Sequence, residues 1–171
     1  VTALYDIHGN LPALEAVLED VRQAKVDLIV VGGDVVPGPM PRETIERLLS
    51  LDIPITCIRG NGDREAVTWR RGTETTAIPE AFRESMRWVA RQLTAEDEQV
   101  LAGWPSTVRL EIHGMGDVLF CHATPRNDTD IFTRLTPEAP LLPIFNEAGA
   151  PLVVCGHTHM QFDRTIGTTR V

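Results

Sequence analysis

The chain has 171 residues, of which 43% are hydrophobic and 23% are charged, and its formal net charge at pH 7 is -8. This length and composition predict one globular domain spanning residues 1–171, and they exclude a disordered chain. The acidic balance argues against general nucleic-acid binding, because proteins that bind nucleic acids usually present a basic face.

The first half of the sequence alternates short apolar runs with helical patterns. The runs at residues 2–5, 28–31 and 53–58 predict three strands. Apolar residues at helical spacing between these runs predict one helix after Pro12 and a second helix that carries Ile45. Strands that alternate with helices form a parallel sheet through right-handed crossovers, so the predicted fold class is α/β.

The second half of the sequence changes pattern. Residues 68–79 are polar and predict a loop, and the apolar residues that follow, beginning with Phe82, predict an amphipathic helix. Thr94, with Asp97 three residues later, is expected to cap a further helix.

A hairpin is predicted next along the chain. Residues 108–113 and 118–121 read as strands on either side of a turn at 114–117, so a second or mixed sheet is expected. The proline-rich residues 127–151 contain one weak helical stretch and predict a lid or a sheet edge.

Side chains of the types that bind metals follow five predicted strands: the three of the first half, the strand at 118–121 and a further buried strand at 152–155. Because the carboxyl ends of parallel strands meet at one edge of a sheet, such residues can converge in space although they are far apart in sequence. These candidate ligands are Asp6, His8, Asp34, Asn61, His122, His157 and His159. The remaining histidine, His113, lies in the predicted hairpin and is assigned to a solvated strand face.

The candidate ligands combine carboxylate, amide and imidazole groups. Mixed oxygen and nitrogen ligation suits Mn, Fe or Zn better than Ca or Mg. Taken singly, Asp34 also suits a helix cap, Asn61 a turn and His122 a structural role. Taken together, the set has enough donors for two ions that share one carboxylate. Two ions about 3.5–4 Å apart can bind a bridging hydroxide and clamp a phosphate, so the pattern predicts phosphoester hydrolysis.

In their order along the chain, these motifs resemble those of the calcineurin-like metallophosphoesterase superfamily. The matching blocks cover nearly the whole chain, and they are Asp6-x-His8, Gly33-Asp34, Gly60-Asn61-x-Asp63, His122 and Gly156-His157-x-His159. The opening stretch, residues 6–15, is similar to that of the small bacterial and archaeal phosphodiesterase-like branch.

The resemblance implies a four-layer αββα sandwich with mixed sheets and a dinuclear metal centre. One metal would be held by Asp6, His8 and His159 and the other by Asn61, His122 and His157, with Asp34 between them. Manganese is the expected metal, with Fe, Zn or Ni as alternatives.

The activity that the resemblance implies is a phosphoesterase, more specifically a phosphodiesterase, that works by in-line attack of the metal-bridging hydroxide. The predicted catalytic residues are Asp34, Asn61 and Asp63. Asn61 and Arg126 are the predicted substrate contacts; Arg126 could approach a phosphate bidentately, or it could be a solvated surface residue. The expected partner is a small phosphoester substrate, and a homo-oligomer is an open alternative.

The chain departs from the family pattern at Gly62, where many members carry a histidine that donates a proton or contacts phosphate. A general acid typically contributes ~10²–10⁴-fold to the rate. We therefore expect either a preference for activated leaving groups of low pKa or a proton donor from elsewhere in the protein. We also expect Gly62→His to raise activity on poorer leaving groups. Family members also usually continue past the Gly-His-x-His block, so the C-terminal part of the fold is expected to be incomplete.

Three other functions stay open from the sequence. The first is a protein-interaction scaffold, since the family includes a retromer subunit that lacks the same histidine and works mainly by binding partners. The others are a phosphomonoesterase and a nonspecific nuclease, the latter disfavoured by the acidic charge. Cys57, Cys121 and Cys155 have no metal-binding spacing and are expected to be reduced core thiols. No leader or membrane-spanning run is found, so a cytoplasmic location is expected.

Overall fold

Three parallel strands form the first sheet of the computed structural model, which describes residues 1–171. They are β1 (Thr2–Leu4), β2 (Ile29–Val31) and β3 (Ile55–Cys57), and they lie side by side in that order. The register pairs Ala3 with Val30 and Val30 with Thr56. All three strands therefore end at the same edge, which confirms the parallel sheet that the sequence predicts.

The second sheet has five strands and is mixed. Its strands are β4 (Thr107–Ile112), β5 (Gly116–Cys121), β6 (Leu152–Val154), β7 (Thr165–Ile166) and β8 (Thr169–Arg170), in the order β4-β5-β6-β8-β7. Strands β4 and β5 form the predicted antiparallel hairpin, and β5 runs parallel to β6. The segments that follow β5 and β6 consequently leave the sheet at one edge.

Six helices accompany the two sheets. They are α1 (Leu11–Gln23), α2 (Pro41–Leu49), α3 (Asn61–Arg70), α4 (Glu80–Gln92), α5 (Ala95–Gly103) and α6 (Leu142–Ala148). The predicted cap of α5 is confirmed, because Thr94 Oγ1 accepts from the Asp97 backbone N–H at 3.1 Å while Asp97 Oδ2 accepts from the Thr94 N–H at 2.7 Å. Crossing a bilayer takes about 20 apolar residues, and no helix here is long and apolar enough for that.

Two details of the secondary structure differ from the sequence prediction. Helix α3 covers the region where a turn at Asn61 and the first residues of a loop at 68–79 were expected. Its short polar sequence hides the helical pattern, and the helix is held by the burial of its own residues, such as Ala66 and Trp69. Phe82 was expected on the buried face of α4 but is 63% exposed, so that face begins at Met86.

The hydrophobic core consists of three clusters of buried side chains. The largest cluster packs helices α1 to α5 against the outer face of the first sheet, and includes Leu18, Ile29 and Leu101. A second cluster packs α6 against the outer face of the second sheet. A third, built around Val30 and Phe120, lies between the two sheets. Helices, sheet, sheet and helix thus stack as the predicted four-layer αββα sandwich.

Candidate metal centre

The predicted ligands meet where the strands of both sheets end. Asp6, His8, Asp34 and Asn61 follow strands of the first sheet, and the other three follow β5 and β6 of the second. They form two groups in which the potential ligand atoms all lie within 4.8 Å of one another. The first group is Asp6, His8 and His159, and the second is Asp34, His122 and His157.

Asp34 lies between the two groups. Its Oδ2 is 3.8 Å from His8 Nε2 in the first group, and its Oδ1 is 3.5 Å from His122 Nε2 in the second. One carboxylate therefore faces both groups with a different oxygen, which is the arrangement a bridging ligand requires. Asn61 joins the second group, with its Oδ1 3.1 Å from His122 Nε2.

The carboxylate of Asp6 contains an unpaired buried oxygen. Its Oδ2 accepts a hydrogen bond from the His157 backbone N–H at 2.9 Å, but its buried Oδ1 has no hydrogen-bond partner. That Oδ1 lies 3.5 Å from His159 Nε2. Buried oxygens are normally hydrogen-bonded, and leaving one unpaired is costly. A cation beside Asp6 Oδ1 would remove this cost, so the observation fits a metal at the first group.

Backbone carbonyls fix the orientation of two of the imidazoles. His8 Nδ1 lies 3.0 Å from Pro37 O, and His122 Nδ1 lies 2.9 Å from Gly32 O. A carbonyl can only accept, so each Nδ1 must carry a hydrogen, and in the neutral ring Nε2 is then a lone pair that faces the site. His8 Nε2 and His159 Nε2 lie only 3.1 Å apart. At this distance the His159 Nε2–H donates to the His8 lone pair in the metal-free protein, and a cation beside the two nitrogens would take the place of that hydrogen.

The amide of Asn61 shows the same pattern in the second group. Its oxygen faces His122 Nε2, although turning the amide over would let its nitrogen donate to His122, to His157 Nδ1 at 3.0 Å and to Asp128 O at 3.1 Å. With a neutral His122 the turned amide is better hydrogen-bonded. With positive charge at this group, either a proton on His122 Nε2 or a cation among these atoms, the amide oxygen is the better neighbour, so this group suits a cation.

The backbone at the candidate ligands is strained. Six non-glycine residues of the chain have positive φ, and five of them are candidate ligands. These five are Asp6, His8, Asp34, His157 and His159, with φ between 49° and 70°. Such conformations cost of order 1–3 kcal/mol each and concentrate at functional sites, where they turn side chains out of the regular strand pattern.

Charge and burial shift the acidities of the second group. Burial opposes ionisation of Asp34, but its hydrogen bond to His122 and the nearby imidazole charges hold the pKa of Asp34 below its usual value. Burial also opposes charging of His122, yet its contacts with Asp34 raise the pKa of His122 to about 9. Burial and the charge of His122 lower the pKa of His157. The metal-free second group therefore holds a proton on His122, in the place where a cation would supply positive charge.

The position of Asp63 changes the role that the sequence suggested for it. Asp63 is 0% exposed, and its carboxylate accepts hydrogen bonds from the backbone N–H groups of Val35, Val36 and Gly60. A carboxylate so enclosed is out of reach of a substrate. The predicted direct catalytic role for Asp63 is therefore corrected, and the residue acts on the backbone of two site loops instead.

Gly62 is also enclosed. A Cβ atom at this position would lie 2.3 Å from Pro37 Cγ and 3.0 Å from Asp34 Oδ1. Pro37 thus occupies space that a side chain at position 62 would need. The expectation that Gly62→His alone raises activity is corrected for this reason, because the imidazole would displace the loop that carries Asp34.

Arg126 is engaged with another residue of its own loop. Its guanidinium pairs with Asp130, with Nη2 2.8 Å and Nε 3.0 Å from Asp130 Oδ2. A phosphate contact by Arg126 would compete with this exposed ion pair, and it stays a proposal. His113 lies exposed in the hairpin turn, outside both groups. All three cysteines are free, as predicted, with only Cys121 fully buried.

Arg64 lies near the site but is not among the residues predicted from the sequence. Arg64 binds the carboxylate of Asp128 through two nitrogens, at 2.8 and 3.2 Å, and also pairs with the buried Glu65 at 2.6 Å. The Asp128 carbonyl lies beside the Asn61 amide. Arg64 therefore holds the loop that borders the second group. No spacing in the sequence signals this, because Arg64 and Asp128 are 64 residues apart.

Comparison with known proteins agrees with this geometry. The uncharacterized protein MJ0912 of Methanocaldococcus jannaschii is 29% identical over 168 residues, which cover 95% of this chain and 63% of that protein. The crystal structure of hypothetical protein PH1004 from Pyrococcus horikoshii OT3 matches with a TM-score of 0.83 at 21% identity, covering 99% of this chain and 75% of that chain. This second likeness shows a shared fold.

A further crystal structure, of a metallophosphoesterase from Sphaerobacter thermophilus, matches with a TM-score of 0.71 at 30% identity and covers 99% of this chain and 66% of that chain. The sequence model of the calcineurin-like phosphoesterase superfamily domain matches residues 1–171. A match over this whole span, together with the convergence of the ligand-type side chains, shows that the chain belongs to the calcineurin-like phosphoesterase superfamily.

Proposed function

We propose that this chain is a phosphodiesterase that depends on two divalent metal ions, with manganese as the first metal to test. The observation that carries the proposal is the convergence of ligand-type atoms into two adjacent groups, each with its atoms within 4.8 Å of one another. In the first group His8 Nε2 lies 3.1 Å from His159 Nε2, and the buried Asp6 Oδ1 has no hydrogen-bond partner. Acceptors gathered in this way are stable when cations lie among them.

The proposed ligand sets follow the two geometric groups. Asp6, His8 and His159 would hold one ion, and Asn61, His122 and His157 the other, with Asp34 shared. Two bound ions supply an activated water nucleophile and neutralise charge on the phosphate oxygens. Mixed carboxylate and imidazole ligation favours Mn, with Fe, Zn and Ni as alternatives.

The residues of the chain prepare the site before a substrate arrives. Pro37 O and Gly32 O keep a proton on Nδ1 of His8 and His122, so that Nε2 stays available. The Asp6 carboxylate holds the loop of His157 through its backbone N–H. Asn61 and Asp34 act in this proposal at the reacting phosphate, Asn61 as the substrate contact and Asp34 through the charge it contributes between the ions.

In this proposal, charge favours diesters over monoesters, and the residue at position 62 favours acidic leaving groups. A phosphodiester carries one negative charge whereas a monoester carries up to two, and the chain itself has a net charge of -8. The absence of an imidazole at Gly62 favours leaving groups that depart without protonation. Together these arguments point to small phosphodiesters with acidic leaving groups.

The experiment measures manganese content and hydrolysis of bis(p-nitrophenyl) phosphate and p-nitrophenyl phosphate. We expect two ions per chain and faster turnover of the diester. Asp34→Ala and His157→Ala should each lower kcat by at least ~10²-fold, because each removes charge stabilisation of the kind that dominates such reactions. His113→Ala is the matched control and should behave as the wild type, since His113 lies outside both groups.

Three results would contradict the proposal. Wild-type turnover in Asp34→Ala would exclude the shared carboxylate. Faster turnover of the monoester would exclude the diester preference. A purified protein that binds no metal and hydrolyses neither ester would instead support the protein-interaction scaffold.

A further inference from the structure

The carboxylate of Asp63 is buried beside the candidate metal centre but belongs to neither ligand group. Its Oδ1 accepts from the backbone N–H of Val35 at 2.8 Å and of Val36 at 3.1 Å. Its Oδ2 accepts from the backbone N–H of Gly60 at 3.1 Å. Val35 directly follows Asp34, and Gly60 directly precedes Asn61. A single carboxylate therefore joins the two loops that carry these candidate ligands.

A further hydrogen bond joins the same loops in the opposite direction. Asp34 Oδ1 accepts from the backbone N–H of Gly62 at 2.7 Å. Asp34 itself has a φ of 53°, a conformation that persists only where the surrounding structure holds it. Asp63 Oδ1 binds the backbone N–H groups of the two residues that follow Asp34. These two hydrogen bonds hold the backbone turn in which Asp34 has its strained φ.

We infer that Asp63 is a positioning residue that sets the placement of Asp34 between the two ligand groups and of Asn61 in the second. The inference rests on the proposed dinuclear centre. Hydrogen bonds from backbone N–H groups to a carboxylate are about twice as strong as those between neutral groups. Small displacements of reacting groups are costly, and about 1 Å can lower a rate ~10²-fold. Loss of the Asp63 carboxylate should therefore affect metal binding more than folding.

The test variant is Asp63→Asn, which keeps the size of the side chain. Asparagine has one acceptor oxygen, so its NH₂ group must face the N–H of Gly60 or those of Val35 and Val36, donor against donor. The matched control is Asp97→Asn. Asp97 occupies the same third position of helix α5, is 8% exposed and accepts from the Thr94 N–H, but it contacts neither site loop.

The measurement is titration with Co²⁺ followed by the visible absorption of the bound ion, together with thermal unfolding of the metal-free proteins. We expect the wild type and Asp97→Asn to bind two ions with the same spectrum. Asp63→Asn should bind the second ion at least tenfold more weakly and with a shifted spectrum. Asp63→Asn and Asp97→Asn should lose similar thermal stability in the metal-free state, so the difference in metal binding is not explained by a difference in folding. Asp63→Asn with the wild-type stoichiometry and spectrum would overturn the inference.

The same titration separates this inference from the proposed function. A wild-type protein that binds no Co²⁺ removes the dinuclear centre itself, and with it the basis of the inference. If Asp63→Asn does not fold, Val36 can be replaced by 2-hydroxyisovaleric acid, which exchanges one backbone N–H for an ester oxygen and leaves every side chain in place. Weaker binding of the second Co²⁺ in that ester variant supports the inference, and unchanged binding overturns it.

Discussion

Three candidate ligands are held by a second contact to the backbone. His8 and His122 donate to backbone carbonyls, and Asp6 accepts from a backbone N–H with the oxygen that does not face the site. Such contacts orient ligands and tune their basicity in metal sites, so the side chains need little rearrangement when ions bind. At the residue scale, the site is therefore organised in advance.

Metal binding should release a proton from His122. Its contacts with Asp34 raise the pKa of His122 to about 9 in the metal-free protein, so at about pH 7.5 the imidazole is protonated. A cation at the second group must displace that proton, and the release should vanish above about pH 10. Calorimetric titration with Mn²⁺ in buffers of different ionisation enthalpy measures the proton number. Heats at pH 7.5 that do not depend on the buffer would contradict this expectation.

The Gly62→His variant should lose activity and stability when made alone. The new Cβ would meet Pro37 Cγ at 2.3 Å, and overpacking of this kind typically costs ~1–3 kcal/mol. The double variant Gly62→His with Pro37→Ala makes room for the imidazole and should raise relative activity on diesters with poor leaving groups. The comparison is with Pro37→Ala alone, by thermal unfolding and kcat. If Gly62→His alone had a higher kcat than the wild type, the loop that carries Pro37 would have to move without a loss of activity.

At the element scale, the two sheets are joined where their strands end. The hydroxyl of Tyr5, one residue beyond β1, donates to the carbonyl of Val154 in β6 at 2.8 Å. This bond connects the first sheet to the second directly beside Asp6. Helix α3 makes a comparable connection on the other side of the site, because it begins at Asn61 and carries Asp63 and Arg64 in its first turn.

Tyr5→Phe should lower the free energy of unfolding of the metal-free protein by about 1 kcal/mol, the usual net value of one hydrogen bond. The substitution leaves the ring and its packing in place and removes only the donor to Val154 O. Urea unfolding followed by tryptophan fluorescence measures the change. An unchanged unfolding midpoint would mean that water replaces the hydroxyl at this position.

At the scale of the whole molecule, the candidate ligands come from both sheets. Four follow strands of the first sheet and three follow strands of the second, and each geometric group contains members from both. Ions bound there would cross-link the two halves of the sandwich. Metal binding is consequently expected to stabilise the entire fold, in addition to its effect on the loops.

Thermal unfolding should therefore depend on metal. A ligand that binds only the folded state stabilises it by about 2.7 kcal/mol at one hundred times its dissociation constant. Mn²⁺ should raise the Tm of the wild type, and a chelator should reverse the rise. Asp34→Ala should show a much smaller rise, because it removes the carboxylate that faces both groups. Equal rises in the two proteins would place the stabilising ion elsewhere.

The sequence predicted the structure correctly where a ligand-type residue directly follows a short apolar run. Short apolar runs followed by Asp, Asn or His predicted both the strands and the ligands that end them, since a parallel strand must present its next residues at the common edge. The same reasoning failed for α3. Its start reads as a Gly-Asn-Gly turn, and the helix is stabilised by the burial of Ala66 and Trp69 and by the Asp63 cap on the Gly60 N–H.

By itself, the sequence determined the α/β class, the parallel first sheet, the hairpin and the identity of the seven candidate ligands, because these depend on periodicity and on residue type. Only the tertiary structure decided that the two ligand groups implied by the family resemblance meet in space, that Asp63 binds backbone and that Pro37 excludes a side chain at Gly62. Those outcomes depend on distances between segments dozens of residues apart. Such distances arise from the packing of the two sheets, which no local pattern encodes.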